Sequence, residues 1–418
     1  MVEKDVLSDG LTLLVERVPG VRSATLGVWL RMGSRHEPAR LSGICHFIEH
    51  LLFKGTETRT AREISLLTDR MGGHLDAFTS KENTCFYARV LDEHLPLAVD
   101  LLSDIVRRPL FDAEELERER RVILEEIRMV NDSPEERIYD LFCESFWPRH
   151  PLGRPIQGTL EKVGAMSRRT VANFFRRAYV PENMVIAVAG RVSARHRRLL
   201  EQAFSGLPAG KRVAPGGAPR FRPGLCRELR KDVDQVHLLF GLPGLASGDP
   251  DRFCLHLLNT LLGGSISSRL FRRVREERGL AYSVASQVHS HEGGGLLTVY
   301  AGTSPRSARE VLGLCLEEMR DLAARPPAAE ELDVARDHLK GSMLLSLEST
   351  SSRMSRAARE EMVLGRHMTA GEITAELDRV QPEDLNRLAA RLMAGRQVAL
   401  AAVGNTRGLR IRERDLVL

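Results

Sequence analysis

At 418 residues the chain exceeds what one ordinary hydrophobic core sustains, so two or three domains are expected. An apolar share of 43% beside 28% charged residues excludes a disordered or fibrous chain, and no run reaches the roughly 18 unbroken apolar residues of a membrane-spanning helix. The net charge of +5 is left over from 61 basic and 56 acidic residues mixed as in EELERERR, with no basic stripe interleaved with aromatics, which argues against a nucleic-acid partner.

The chain opens MVEKDVLSDGLTLL, with acidic residues ahead of any apolar run, so neither signal peptide nor anchor is expected, and the location expected is cytoplasmic. LTLLVERV and ATLGVWLRMG read as strands, LSGICHFIEHLLFKGT as an apolar helix, and FTSKENTCFYARVL as further extended chain. The helices DEHLPLAVDLLSDIV, DAEELERERRVILEEI and RRTVANFFRRAY follow, and then the short apolar strand MVIAVAG at 184–190. GKRVAPGGAPRFRPG, residues 210–224, is the segment richest in Gly and Pro and reads as an interdomain linker.

Beyond it the order repeats. SPRSAREVLGLCLEEM, AAEELDVARDHLKGSM, PEDLNRLAARLM and VALAAVG (398–404) answer the earlier helices and strand at a nearly constant offset of 210–216. One domain used twice is therefore expected: 1–209 and 225–418, joined by 210–224. Strands grouped rather than alternating with helices predict α+β sandwiches, each a mostly antiparallel sheet with helices packed on it. Six cysteines without a CxxC pair read as reduced core thiols.

HFIEH at 46–50 admits two readings: a metal site with its own general base, or a buried apolar helix that carries three polar residues. At about 100° per residue His46 and His50 lie one turn apart on one face, within common reach of an ion, and Glu49 shares that face. A catalytic zinc needs a third protein ligand and an open position. DAEELERERRVILEEIRMV (112–130) offers it: Asp112 is placed to cap a helix whose apolar side runs through Leu116, Val122, Ile123, Ile127 and Val130. Glu119 and Glu126, seven residues apart, share a face beside that stripe, and Glu126 is the candidate third ligand. In the second copy Leu255, Leu258 and Asn259 stand for His46, Glu49 and His50, and about Ser342 for Glu126, so the polar set belongs to one copy alone.

HxxEH is the inverzincin signature, and the chain resembles the pitrilysin-like zinc metallopeptidases, in particular the mitochondrial processing peptidase branch and its bacterial relatives. The resemblance spans nearly the whole chain, through HFIEHLLFKGT, MGGHLDAFTSKENTCFYARVL, LERERRVILEEI, HPLGRPIQGT and GGSISSRLFRRVREERGLAYSV. It implies one Zn2+ per chain on His46, His50 and Glu126, Glu49 as general base, and Glu119 supporting the site from behind. It further implies that Arg275 and Tyr282 act on substrate and transition state, and that the strand holding Asp76, Ala77 and Phe78 pairs with an extended substrate. Asp76 stands where the family often has asparagine. The implied activity is hydrolysis of unfolded or presequence-like peptides in a closed chamber. This chain would form half of a clamshell, completed by a homodimer with composite active sites. A heterodimer would be signalled by the two motifs being divided between chains, and here one chain carries both. Two other readings stay open: a structural subunit, which would be expected to have lost ligands that are all present here, and a peptide-binding protein that keeps zinc and cleaves slowly.

Overall fold

Strands that are apolar almost throughout need cover on both faces of their sheet. Thr12–Arg17 and Ser23–Leu30 are of this kind, buried along nearly their whole length. The computed structural model describes residues 2–214, 216–230 and 232–418, and its strands fall into two sheets. The first holds β1 (Val2–Val6), β2 (Thr12–Arg17), β3 (Ser23–Leu30), β4 (His74–Thr79), β5 (Thr84–Leu91) and β6 (Met184–Gly190), in the order β1-β2-β6-β3-β5-β4. The second holds β7 (Gly224–Leu229), β8 (Val236–Gly244), β9 (Ala281–His291), β10 (Gly294–Thr303) and β11 (Ala399–Gly404), in the order β7-β11-β8-β10-β9. Both repeat one topology. The last strand of each copy inserts beside an early one in parallel, β6 on β2 and β11 on β7, and every other pairing is antiparallel. The α+β class expected from the grouping of strands is what the fold displays, and β4 and β9 are the corresponding free edges.

The chain divides into two compact units, and each draws on both halves of the sequence. Unit one comprises Met1–Arg128, Arg154–Pro215 and Leu345–Thr369; unit two comprises Met129–Gly153, Gly216–Leu344 and Ala370–Leu418. The linker expected at 210–224 does straddle a unit boundary, and its Pro215 lies outside the described residues. The contiguous division 1–209 and 225–418 differs from these units by an exchange of two segments, and the cause is the uncovered sheet face. In unit one the helix Thr350–Leu364 lays Met354, Ala357 and Ala358 on Leu14, Trp29, Cys85 and Val185. Trp29 Nε1 donates to Met354 Sδ at 3.0 Å, and a Cβ on Gly27 would fall 2.4 Å from the same sulfur, so any larger residue there would have to displace Met354 from the sheet. In unit two the helix Pro134–Phe146 packs Ile138, Phe142 and Phe146 against Leu239, Ala399 and Val403.

The opposite face of each sheet carries the larger core, built from its own half's helices. Cys45, Cys85, Cys254 and Cys315 are buried thiols, whereas Cys143 and Cys226 are half-buried. Among the described residues no helix is long and apolar enough to cross a membrane.

Candidate metal centre

The helix Ile44–Leu52 forms because Ile44, Cys45, Phe47, Ile48, Leu51 and Leu52 make one continuous buried face, which leaves His46, Glu49 and His50 on the other side. Its start is fixed by close contact. Gly43 sits at φ +96, where a Cβ would lie 2.4 Å from Gln157 O, and a Cβ on Gly158 would lie 2.3 Å from Ser42 O. These glycines let residues 42–43 and 157–158 touch, which gives the GRPIQGT stretch its structural purpose. Glu37, 3% exposed, accepts the Gly43 and Cys45 N–H groups at 2.8 Å each and caps the helix from outside. Burial pushes its carboxyl up to about 7 against the pull of those two hydrogen bonds.

The helix Ala113–Asp132 brings the acids. Asp112 caps it by accepting the Glu114 and Glu115 N–H groups at 2.8 and 3.1 Å. Its buried stripe is Leu116, Glu119, Ile123 and Ile127. Val122, expected on that side, is 45% exposed, because the stripe is set by the Leu116–Ile123–Ile127 spacing and Val122 lies one residue off it.

The two helices gather His46, His50 and Glu126, with one donor atom from each within 4.8 Å of the others. Glu126 Oε2 is 3.8 Å from His46 Nε2 and 3.6 Å from His50 Nε2. These separations are too long for hydrogen bonds, and they approach the edge of a tetrahedron with metal–ligand bonds of about 2.0–2.1 Å. Three Lewis-basic atoms held together without bonding one another, two imidazole and one carboxylate, fit a zinc ion with an open position. Among the described residues no other His, Cys, Asp or Glu set is so placed.

Glu119 Oε2 lies 3.0 Å from His50 Nδ1, and its other oxygen accepts from Lys54 Nζ at 2.8 Å. A carboxylate can only accept, so Nδ1 carries a proton, and in the neutral imidazole it is Nε2 that has the lone pair toward Glu126. Burial would lower the His50 pKa, but the Glu119 hydrogen bond and the charges of Glu126 and Glu49 outweigh it and hold the value above the ordinary one. Burial, with the His50 charge, pushes His46 down to about 4. His46 Nδ1 has no hydrogen-bond partner among the described residues. Burial raises the Glu49 carboxyl, opposed by Thr79 Oγ1, which donates to Glu49 Oε2 at 2.5 Å from β4.

Thr79, Lys54 and Glu37 went unnoticed in the sequence. Lys54 follows His50 by four and Thr79 has the strand parity facing the helix, so both carried a signal; Glu37, alone in a loop, carried none.

The strand holding Asp76, Ala77 and Phe78 is β4, the free edge of its sheet. Asp76 Oδ1 accepts the Ala77 N–H at 2.8 Å, and Phe78 meets Trp29 edge-on at 5.4 Å. Arg275 and Tyr282 belong to unit two. There the Arg275 guanidinium stacks between the Phe271 and Tyr282 rings, 4.7 and 5.0 Å from their centroids, and Tyr282 is 81% exposed.

Residues 12–160 match the insulinase family, peptidase family M16, and residues 165–339 match the peptidase M16 inactive domain. An uncharacterized zinc protease of Bacillus subtilis is 40% identical over 392 residues, covering 94% of this chain and 96% of that protein. One of Streptomyces coelicolor is 39% identical over 413 residues, 96% and 89% of the two chains. A peptidase M16 inactive domain from Pseudomonas fluorescens shares the fold, with a TM-score of 0.90 at 20% identity over 96% of this chain and 98% of its own.

Proposed function

The chain belongs to the insulinase family of peptidases, family M16, and from that premise we propose that it is a zinc-dependent metalloendopeptidase of the processing-peptidase kind. The observation that carries this reading is the division of labour on one helix: His46 and His50 converge with Glu126, whereas Glu49 stays out of that set and is held by Thr79. His46, His50 and Glu126 would hold the ion, which when bound polarises a scissile carbonyl and lowers the pKa of its water toward about 7. Glu49 takes the proton of the attacking water and delivers it to the leaving amine. Its burial favours that role, because a carboxylate in a dry setting is a stronger base. Glu119 keeps His50 in the tautomer that binds.

The substrate is an unfolded or presequence-like peptide added as a strand to the β4 edge, inside a closed chamber. Arg275 and Tyr282 supply donors to the developing oxyanion from a second copy of the chain, in a homodimer with two composite sites. Stacking on aromatic rings uses the faces of the Arg275 guanidinium and leaves its edge N–H groups for substrate, which supports this role.

The test is zinc per chain together with cleavage of a quenched-fluorescent peptide, for the unmodified protein and Glu49→Gln. Zinc retained with cleavage lost is expected; equal cleavage by the variant overturns Glu49 as base. Mixing inactive Glu49→Gln with inactive Tyr282→Phe is expected to restore part of the activity. No recovery after proven subunit exchange overturns the shared site.

A further inference from the structure

Side chains of β4 alternate between two environments. Thr79 points to the face that bears the histidine helix, where it meets Glu49, and His74 and Phe78 point to the opposite face. There a cavity of about 600 Å³ lies between the β4–β5 edge and the helix Thr350–Leu364, within unit one. Its charge is lopsided, since Arg89, Arg356 and Arg359 line it with one carboxylate, Glu360.

That carboxylate is already engaged. Glu360 Oε2 accepts the Met368 N–H at 3.0 Å, and Oε1 stands 3.7 Å from Arg356 Nε, beyond hydrogen-bond reach. Arg356 Nε and Nη1 are buried without any hydrogen-bond partner among the described residues. Arg359 rests over the Trp29 ring at 5.7 Å, which leaves its N–H edge open. Asp76, nearest on the strand, is taken up by Ala77 N–H and by the Tyr87 hydroxyl at 3.3 Å. Buried guanidinium donors without acceptors are costly, and a carboxylate is the group whose geometry satisfies them.

We propose that this cavity is a side-chain subsite for an aspartate or glutamate of a peptide paired along β4. The assignment rests on the peptidase reading above and narrows its substrate to unfolded peptides that carry acids, in place of acid-poor presequence-like ones. A strand added to β4 continues the pleat, so its side chains of one parity approach Glu49 and the histidines, and those of the other parity enter the arginine cavity. Acid preference therefore falls on alternate substrate positions. Arg356 is the principal contact, and Arg89 and Arg359 supply the surrounding positive potential.

The experiment walks a single glutamate, and separately a glutamine, along a short quenched-fluorescent peptide of otherwise neutral sequence. The expected kcat/KM ratio of glutamate to glutamine is about tenfold at one position, or at two of the same parity, and close to unity at the positions between. In Arg356→Gln the ratio falls to about unity at every position, and Arg356→Lys keeps part of it. Ratios below about twofold everywhere, preference at adjacent positions, or a ratio unchanged in Arg356→Gln would each overturn the subsite. The peptide series on the unmodified chain stands whether or not the variants fold. Should no neutral peptide be cleaved in a Glu49-dependent way, the peptidase reading fails by itself. Fluorescence polarisation of the same labelled peptides on Glu49→Gln then reads the subsite separately: tighter binding of the glutamate peptides supports it, and equal binding overturns it.

Discussion

The helices Ile44–Leu52 and Arg252–Leu262 occupy corresponding places, each against the edge strand of its own sheet, β4 or β9. In unit one three positions on this helix are polar and gather with Glu126. In unit two Leu255 and Leu258 are core residues at the places of Cys45 and Ile48, and the burial pattern sets His256, Asn259 and Thr260 against His46, Glu49 and His50, one residue on from the pairing read in the sequence. The same scaffold thus folds with or without the two histidines and the glutamate of the first helix. The site is a handful of side chains laid on a frame that does not depend on them, which is why a purely architectural purpose for His46, Glu49 and His50 is unconvincing.

The sharpest way to break this comparison is Glu49→Gln, which is expected to lower peptide hydrolysis by about 10²–10⁴-fold with zinc content unchanged. Retention of more than about a tenth of the activity would erase the functional difference between the two helices. An acid on the inward face of the second helix, Leu258→Glu, is unpaired in the unit-two core and is expected to cost about 3 kcal/mol in chemical denaturation. A loss below about 1 kcal/mol would mean that the inward face of this helix does not need to be apolar.

Glu119→Gln sharpens the contrast further, because it leaves all three proposed ligands in place and removes the negative charge that holds His50 and pairs with Lys54. Zinc affinity by chelator competition is expected to fall about 10–100-fold. A gentler effect concerns pH. His46, pushed down to about 4, is already neutral near neutrality, while His50 is held above its ordinary 6.5 and must lose one proton to bind a metal. Zinc affinity should therefore drop about tenfold per pH unit below the His50 pKa and level off above it. A twofold-steeper slope in the same titration would show that His46 also carries a proton.

Chemistry that recurs with a helical or duplicated period was legible beforehand. The repeat, the histidine helix and Glu126 all announce themselves by spacing, and the structure assembles His46, His50 and Glu126 from two helices far apart in sequence. The exchange of Pro134–Phe146 and Thr350–Leu364 was not legible. Amphipathic spacing tells that a helix has an apolar side, but not which sheet that side will cover. Val122 failed for a related reason, since an apolar residue at the margin of a stripe can fall on either side of it. Glu37 was hidden because its partners are backbone amides, which have no residue-type signature.

The exchanged helices also set an order of events during synthesis. The first sheet has all its strands once residue 190 has been made, yet Trp29, Cys85 and Val185 stay bare until Met354 and its neighbours emerge. The nascent chain must carry an open apolar sheet through the translation of most of its second half, so the unit begun first is finished late. A fragment ending at 209 is therefore expected to be insoluble on its own, and to be rescued by co-expression with the remainder rather than by a longer linker.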